Sequence, residues 1–127
     1  MKSDDTLYSK EGYALMAAAF EVHNELGGGI AEEVYQESLE FELGDRGIPF
    51  IPKQELVIYY KGRQLRKRYV PDLYVHDGIV VELKSVAKLL PEHEAQLINY
   101  MRISKKRVGY LINFGPIKGV DWKRYVI

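Results

Sequence analysis

Leu15, Ala18, Val22 and Leu26 recur at three- and four-residue steps, the spacing that gathers side chains on one face of an α-helix. The pattern predicts a helix over residues 11–26, stopped by Gly27-Gly28-Gly29. A second helix is expected over 31–43, with Val34, Leu39 and Leu43 among its apolar positions and Gly44 or Gly47 near its end. The period then changes. "QELVIYYKGRQLRKRYVPDLYV" is rich in strand-forming residues and broken by a turn at Lys61-Gly62. Ile79 to Ser85 reads as a further strand, and Pro91 suits the first turn of a helix running to about Ile103. "RVGYLINF" has the continuous apolar character of a buried strand, and Lys123 to Ile127 adds a short edge strand. The order helix, helix, three strands, helix, strand predicts an α/β domain with a mixed central sheet flanked by helices.

The pattern also fixes a register. "VPDLYVHDGIVVELKS" contains two strands around a turn at His76-Asp77-Gly78. A two-residue turn at Asp77-Gly78 mixes aliphatic and charged side chains on both faces. A three-residue loop pairs Val75 with Ile79 and puts Leu73, Val75, Ile79, Val81 and Leu83 on one face. The opposite face then carries Asp72, Tyr74, Val80, Glu82 and Lys84. We therefore expect the three-residue loop, as a type I turn closed by a left-handed glycine at Gly78. It makes Asp72 and Glu82 cross-strand neighbours, with Lys84 two residues along on the same face.

Two carboxylates that close repel each other unless a cation lies between them. Mg²⁺ suits such a pair, since it commonly takes one or two carboxylates and fills its remaining positions with water and phosphate oxygens. Against this stands an ordinary solvated strand face, in which Lys84 simply neutralises Glu82.

Composition narrows the choice. The chain of 127 residues is long enough for one domain with its own core and contains no cysteine, which excludes disulfides, thiolate metal sites and a cysteine nucleophile. The early apolar run from Ala14 to Phe20 is too short to cross a bilayer and follows acidic residues, so a cytoplasmic location without a membrane partner is expected. The 18 basic and 18 acidic residues cancel, and so advertise no nucleic acid by themselves. Their distribution is uneven: residues 21–45 carry eight acids and no Lys or Arg, and residues 61–68 carry five basic residues.

Pro71-Asp72 followed, after nine residues, by Glu82-Leu83-Lys84 resembles the PD-(D/E)xK nuclease motif. Gln96 and Tyr100, one helical turn apart, resemble the QxxxY motif of that superfamily's RecB-like and phage-exonuclease branch. Gly29, Glu32 and Tyr35 match the pattern of the GxxExxY family, and "VHNELGGGIAEEVY", "VVELKSV", "EAQLINYM" and "VGYLINFG" are similar to it as well. The likeness runs from about Glu21 to Gly115.

The resemblance implies a restriction-endonuclease-like fold and a Mg²⁺- or Mn²⁺-dependent nuclease acting on DNA, or less readily RNA. Asp72, Glu82 and the backbone carbonyl of Leu83 would be metal ligands, Glu32 would complete the metal site or position water, and Lys84 would be the catalytic lysine. Gln96 and Tyr100 would organise the site or touch the nucleic-acid backbone. Lys61, Arg63, Arg66 and Arg68 would hold phosphates if they share the active face, and otherwise serve as solubilising charge. Tyr35 is read as a core side chain with a satisfied hydroxyl, and His93 as a surface residue. Two further readings stay open: a nucleic-acid-binding or regulatory module that keeps the fold without turnover, and a component that works as a homodimer or with a partner protein.

Overall fold

The computed structural model describes residues 6–127. Three helices, α1 (Ser9–Leu26), α2 (Glu32–Asp45) and α3 (Pro91–Ser104), enclose a five-stranded sheet. Its strands are β1 (Phe50–Pro52), β4 (Leu73–Val75), β5 (Ile79–Lys84), β6 (Val108–Asn113) and β7 (Asp121–Val126), in the order β1-β4-β5-β6-β7. β6 runs parallel to β5 and every other pair is antiparallel. The expected mixed α/β sheet flanked by helices is therefore present.

The sheet divides two apolar layers. Leu73, Val75, Ile79, Val81 and Leu83 pack with Leu15, Val22, Leu39 and Leu43 of α1 and α2. Tyr74, Val80 and Leu111 pack with Leu97, Tyr100 and Met101 of α3 on the other face. Pairing at Leu73↔Val81, Tyr74↔Val80 and Val75↔Ile79 is the register of the three-residue loop.

The turn itself differs from expectation. The left-handed residue is His76, at φ 51°, and Gly78 has no positive φ. Glycine is needed at 78 for space, because a Cβ there would lie 2.1 Å from Cζ of Tyr8. His76 is anchored where it stands by its N–H, which donates to Pro49 O at 2.9 Å.

Two other expectations need correction. β2 (Leu56–Tyr60) and β3 (Arg63–Tyr69) form a separate two-stranded ribbon, and the unforeseen β1 supplies the edge beside β4. Pro71 and Pro52 explain the split, since a proline cannot donate to a ladder and is confined to edges and breaks. In α2 the buried stripe is Tyr35, Gln36, Leu39 and Leu43, whereas Val34 is exposed.

Candidate active site

The site is built at the upper end of the β4–β5 hairpin. Asp72 and Glu82 are both buried, at 8% and 4% exposure. Each carboxylate is held by the other strand's backbone: Asp72 N–H donates to Glu82 Oε1 at 2.9 Å, and Leu83 N–H donates to Asp72 Oδ2 at 2.7 Å. The reciprocal pair fixes both side chains on the hairpin. Burial and the charge of Asp72 push the Glu82 carboxyl up to about 8, partly offset by the Asp72 N–H and by Lys84 and Lys53.

Lys84 points to α3. Its Nζ donates to Gln96 Oε1 at 3.1 Å, and Gln96 Nε2 donates to the Tyr100 hydroxyl at 3.1 Å. Burial, followed by the charge of Glu82, raises the Tyr100 phenol above its ordinary value. Asp72 and Glu82 thus form one hydrogen-bonded pair and Lys84, Gln96 and Tyr100 a second chain, and the charge of Lys84 acting on Glu82 links the two into a polar cluster.

The chain beyond Lys84 is pinned from two sides. Asn113, fully buried, accepts from Val86 N–H through Oδ1 at 3.0 Å and donates through Nδ2 to Val86 O at 2.9 Å. The Ser85 hydroxyl donates to Ile30 O in the glycine loop. That loop is held in turn by Tyr35, whose hydroxyl donates to Gly27 O at 2.6 Å and accepts from Ile30 N–H at 3.1 Å. The Tyr35 ring stacks on Phe114 with centroids 4.5 Å apart, which makes it the core side chain expected of it. Gly28 allows the close approach, because a Cβ there would lie 2.4 Å from Pro116 O.

The family can be read at this point. The model of the PD-(D/E)XK nuclease superfamily matches residues 9–125, nearly the whole chain, from the start of α1 into β7. The chain belongs to the PD-(D/E)XK nuclease superfamily. A solved structure titled "Crystal structure of SSO0001" has the same fold, with a TM-score of 0.58 over 95% of this chain and 21% sequence identity. This chain spans 60% of that protein's length. No match is found among curated proteins.

PD-(D/E)XK nucleases typically use divalent metals, and the residues here fit one. Two adjacent carboxylates, one of them hard to ionise beside the other, are an oxygen donor set that a divalent cation would relieve. Among the described residues, no group of three or more His, Asp or Glu side chains is already gathered as a cage. Glu32 stands exposed at the first residue of α2, and its charge is felt at the Lys53 ammonium.

The four ribbon cations lie outside this cluster. Lys61, Arg63 and Arg66 are exposed on β2–β3, and Arg68 turns back on its own strand, donating from Nη1 to Leu65 O at 2.7 Å and Arg66 O at 3.2 Å. His93 accepts the Leu90 N–H at 3.0 Å through Nδ1 and so caps the start of α3.

Two residues that touch Asp72 escaped the sequence reading. Lys53 Nζ lies 2.5 Å from Asp72 Oδ1. Burial alone would lower its ammonium, but the hydrogen bond and charge of Asp72, followed by Glu82 and Glu32, hold it above the ordinary value. No periodicity marks this lysine, which follows a three-residue edge strand. Gln36 is buried and donates to Asp72 O at 3.0 Å and Glu40 Oε2 at 2.9 Å. A signal existed there: Gln36, Leu39 and Leu43 share the helical period, so a polar residue occupied an inward position.

Proposed function

We propose that the protein is a Mg²⁺- or Mn²⁺-dependent phosphodiesterase that cleaves DNA, with RNA as the weaker candidate, and that it falls in the GxxExxY branch of its superfamily. The observation that supports this reading best is the Asp72–Glu82 pair locked across one hairpin, with Lys84 held beside it by Gln96. Asp72, Glu82 and the Leu83 carbonyl would hold the cation, with Glu32 reaching it directly or through water. When bound, the metal would polarise the phosphodiester and lower the pKa of a coordinated water.

The protein's own groups have distinct tasks. The Lys84 ammonium, kept in place by Gln96, donates to the attacking water or to a phosphate oxygen and offsets the negative charge that develops there. Tyr100 holds Gln96 from behind. Water adds to phosphorus, the opposite P–O ester bond breaks, and the leaving oxygen takes up a proton.

The test is cleavage of single- and double-stranded DNA and RNA with Mg²⁺ or Mn²⁺. Cleavage lost in Lys84→Ala, with the fold retained, supports the reading. No cleavage of any substrate by metal-loaded wild type overturns it. A second reading draws on Lys53, whose ammonium pairs with Asp72: a regulatory or nucleic-acid-binding module without turnover. That reading requires nucleic-acid binding that survives Lys84→Ala and is not followed by hydrolysis.

A further inference from the structure

The ribbon β2–β3 is an unusual appendage. It stands apart from the central sheet, and a two-stranded ribbon has little stability of its own in water. Its outer part nevertheless exposes Tyr59 at 63% and Tyr60 at 60%, beside five basic residues in positions 61–68. Solubility alone would call for the charges but not the tyrosines.

The register decides which side chains face the site. Leu56 pairs with Tyr69, and both pack on the α3 layer. Side chains alternate along β2, so Leu56, Ile58 and Tyr60 share the α3 side, while Val57 and Tyr59 face away. Tyr60 pairs with Arg63, and Tyr59 with Gln64, which puts Arg63 on the α3 side too. The extra residues of the ribbon lie on β3: between the pairs Val57↔Arg68 and Tyr59↔Gln64, the single residue Ile58 of β2 stands opposite residues 65–67 of β3. Arg68 satisfies the carbonyls of Leu65 and Arg66 in that bulge, which gives it a local structural task.

The α3 side of the ribbon therefore presents a graded path. At its base Tyr69 meets Tyr100, centroids 5.5 Å apart, over a cleft of about 290 Å³ lined also by Gln96 and Asn99. Glu92 also lines this cleft, and two of its walls, Gln96 and Tyr100, are tied by hydrogen bonds to Lys84 of the proposed reaction centre. Lys67 Nζ stands 5.8 Å from the Tyr69 ring, and at the tip Lys61 Nζ stands 5.5 Å from the Tyr60 ring. Aromatic rings alternate with cations from the site outwards.

Rings and cations in that alternation match the chemistry of an unpaired strand, whose bases offer flat faces and whose phosphates lie beside them. In a duplex the bases are stacked on each other and offer tyrosine no face. We propose that the α3 side of the β2–β3 ribbon is a track for single-stranded nucleic acid, with bases stacking on Tyr69 and Tyr60 and phosphates held by Lys67, Arg63 and Lys61. The inference rests on the reading of the site as a nuclease and narrows its substrate to an unpaired strand or a frayed end.

Tyr59 and Tyr60 make the test sharp, because they are neighbours of like chemistry and exposure on opposite faces. Binding is measured in EDTA by fluorescence anisotropy, with an oligothymidine of about a dozen nucleotides and a duplex of the same length. Wild type is expected to hold the single strand at least about tenfold more tightly than the duplex. Tyr60→Ala should weaken it by roughly fivefold or more, Tyr59→Ala should leave it unchanged, and Arg63→Ala should flatten its salt dependence. Equal affinity for the duplex, or equal losses in both tyrosine variants, overturns the track. Lys84-dependent cleavage by the same protein in Mg²⁺ or Mn²⁺ without EDTA would then leave the nuclease reading standing, whereas absence of both binding and metal-supported cleavage removes the two together.

Discussion

Lys53 Nζ lies 2.5 Å from Asp72 Oδ1, so the carboxylate proposed as a metal ligand is paired with a cation from another strand end. The ammonium is half-exposed and the carboxylate is nearly buried, which makes the pair asymmetric. Removing the lysine leaves Asp72 and Glu82 facing each other with less compensation. Lys53→Met should therefore lower metal-free stability by about 1 kcal/mol. Mn²⁺ should raise the melting temperature of this variant more than that of wild type, because the ion takes over the lost charge. Denaturation with and without Mn²⁺ measures both; an equal metal-induced rise in the two proteins contradicts the argument.

Glu82 gives the site a pH signature. Burial and the neighbouring Asp72 charge raise its carboxyl from 4.5 to about 8. Between those values the folded protein holds a proton that the unfolded chain has released, so the contribution to stability is complete below about 4.5 and is lost as pH rises through about 8. The metal-free melting temperature should decline across this window, and Glu82→Gln should flatten the decline. A slope that survives the substitution unchanged would place the titration elsewhere.

Gln96 acts on Lys84 and on nothing else in the polar cluster except Tyr100. Gln96→Leu keeps the volume on α3 but takes away the acceptor that fixes the ammonium. If the nuclease reading holds, kcat should drop by about 10- to 100-fold with stability nearly unchanged, the usual scale for a group that orients a functional side chain. Gln96→Glu, which returns an acceptor to the Lys84 ammonium, should recover part of the rate. A purely structural role for Gln96 would lower stability and give Gln96→Glu no advantage over Gln96→Leu in kcat.

The sequence disclosed the hairpin well because its two faces differ. Aliphatic residues at 73, 75, 79, 81 and 83 leave one workable register, and that register brings Asp72 and Glu82 together. Lys84 was legible as the next residue on the same strand face, whereas Gln96 and Tyr100 were legible only through their resemblance to the QxxxY motif, since one helical turn of spacing does not by itself aim a pair at Lys84. Lys53 did not follow, since its approach depends on how an edge strand is laid beside β4, which no local period encodes. The ribbon was misplaced for a related reason: β propensity marks residues 56–69 as strands without saying which sheet receives them. Its basic residues were likewise visible as a cluster, but the bulge and the turn of Arg68 onto the carbonyls of Leu65 and Arg66 depend on the folded ribbon.

The turn at residues 76–78 offers a case in which a correct register hid a wrong turn. Were Gly78 the left-handed residue, Gly78→Ala would be costly whatever surrounds it. Instead φ is positive at His76, and the Tyr8 ring occupies the space over Gly78. Gly78→Ala should cost about 1–3 kcal/mol through the clash with that ring. In the Tyr8→Ala background the same substitution should be nearly neutral, giving a coupling of similar size between the two positions. His76→Gly, at the position that is left-handed, should gain up to about 1 kcal/mol by relieving strain. Urea unfolding of the four proteins of the Tyr8–Gly78 cycle measures the coupling. An additive result would show that the backbone at Gly78, and not the ring, is what forbids a side chain there.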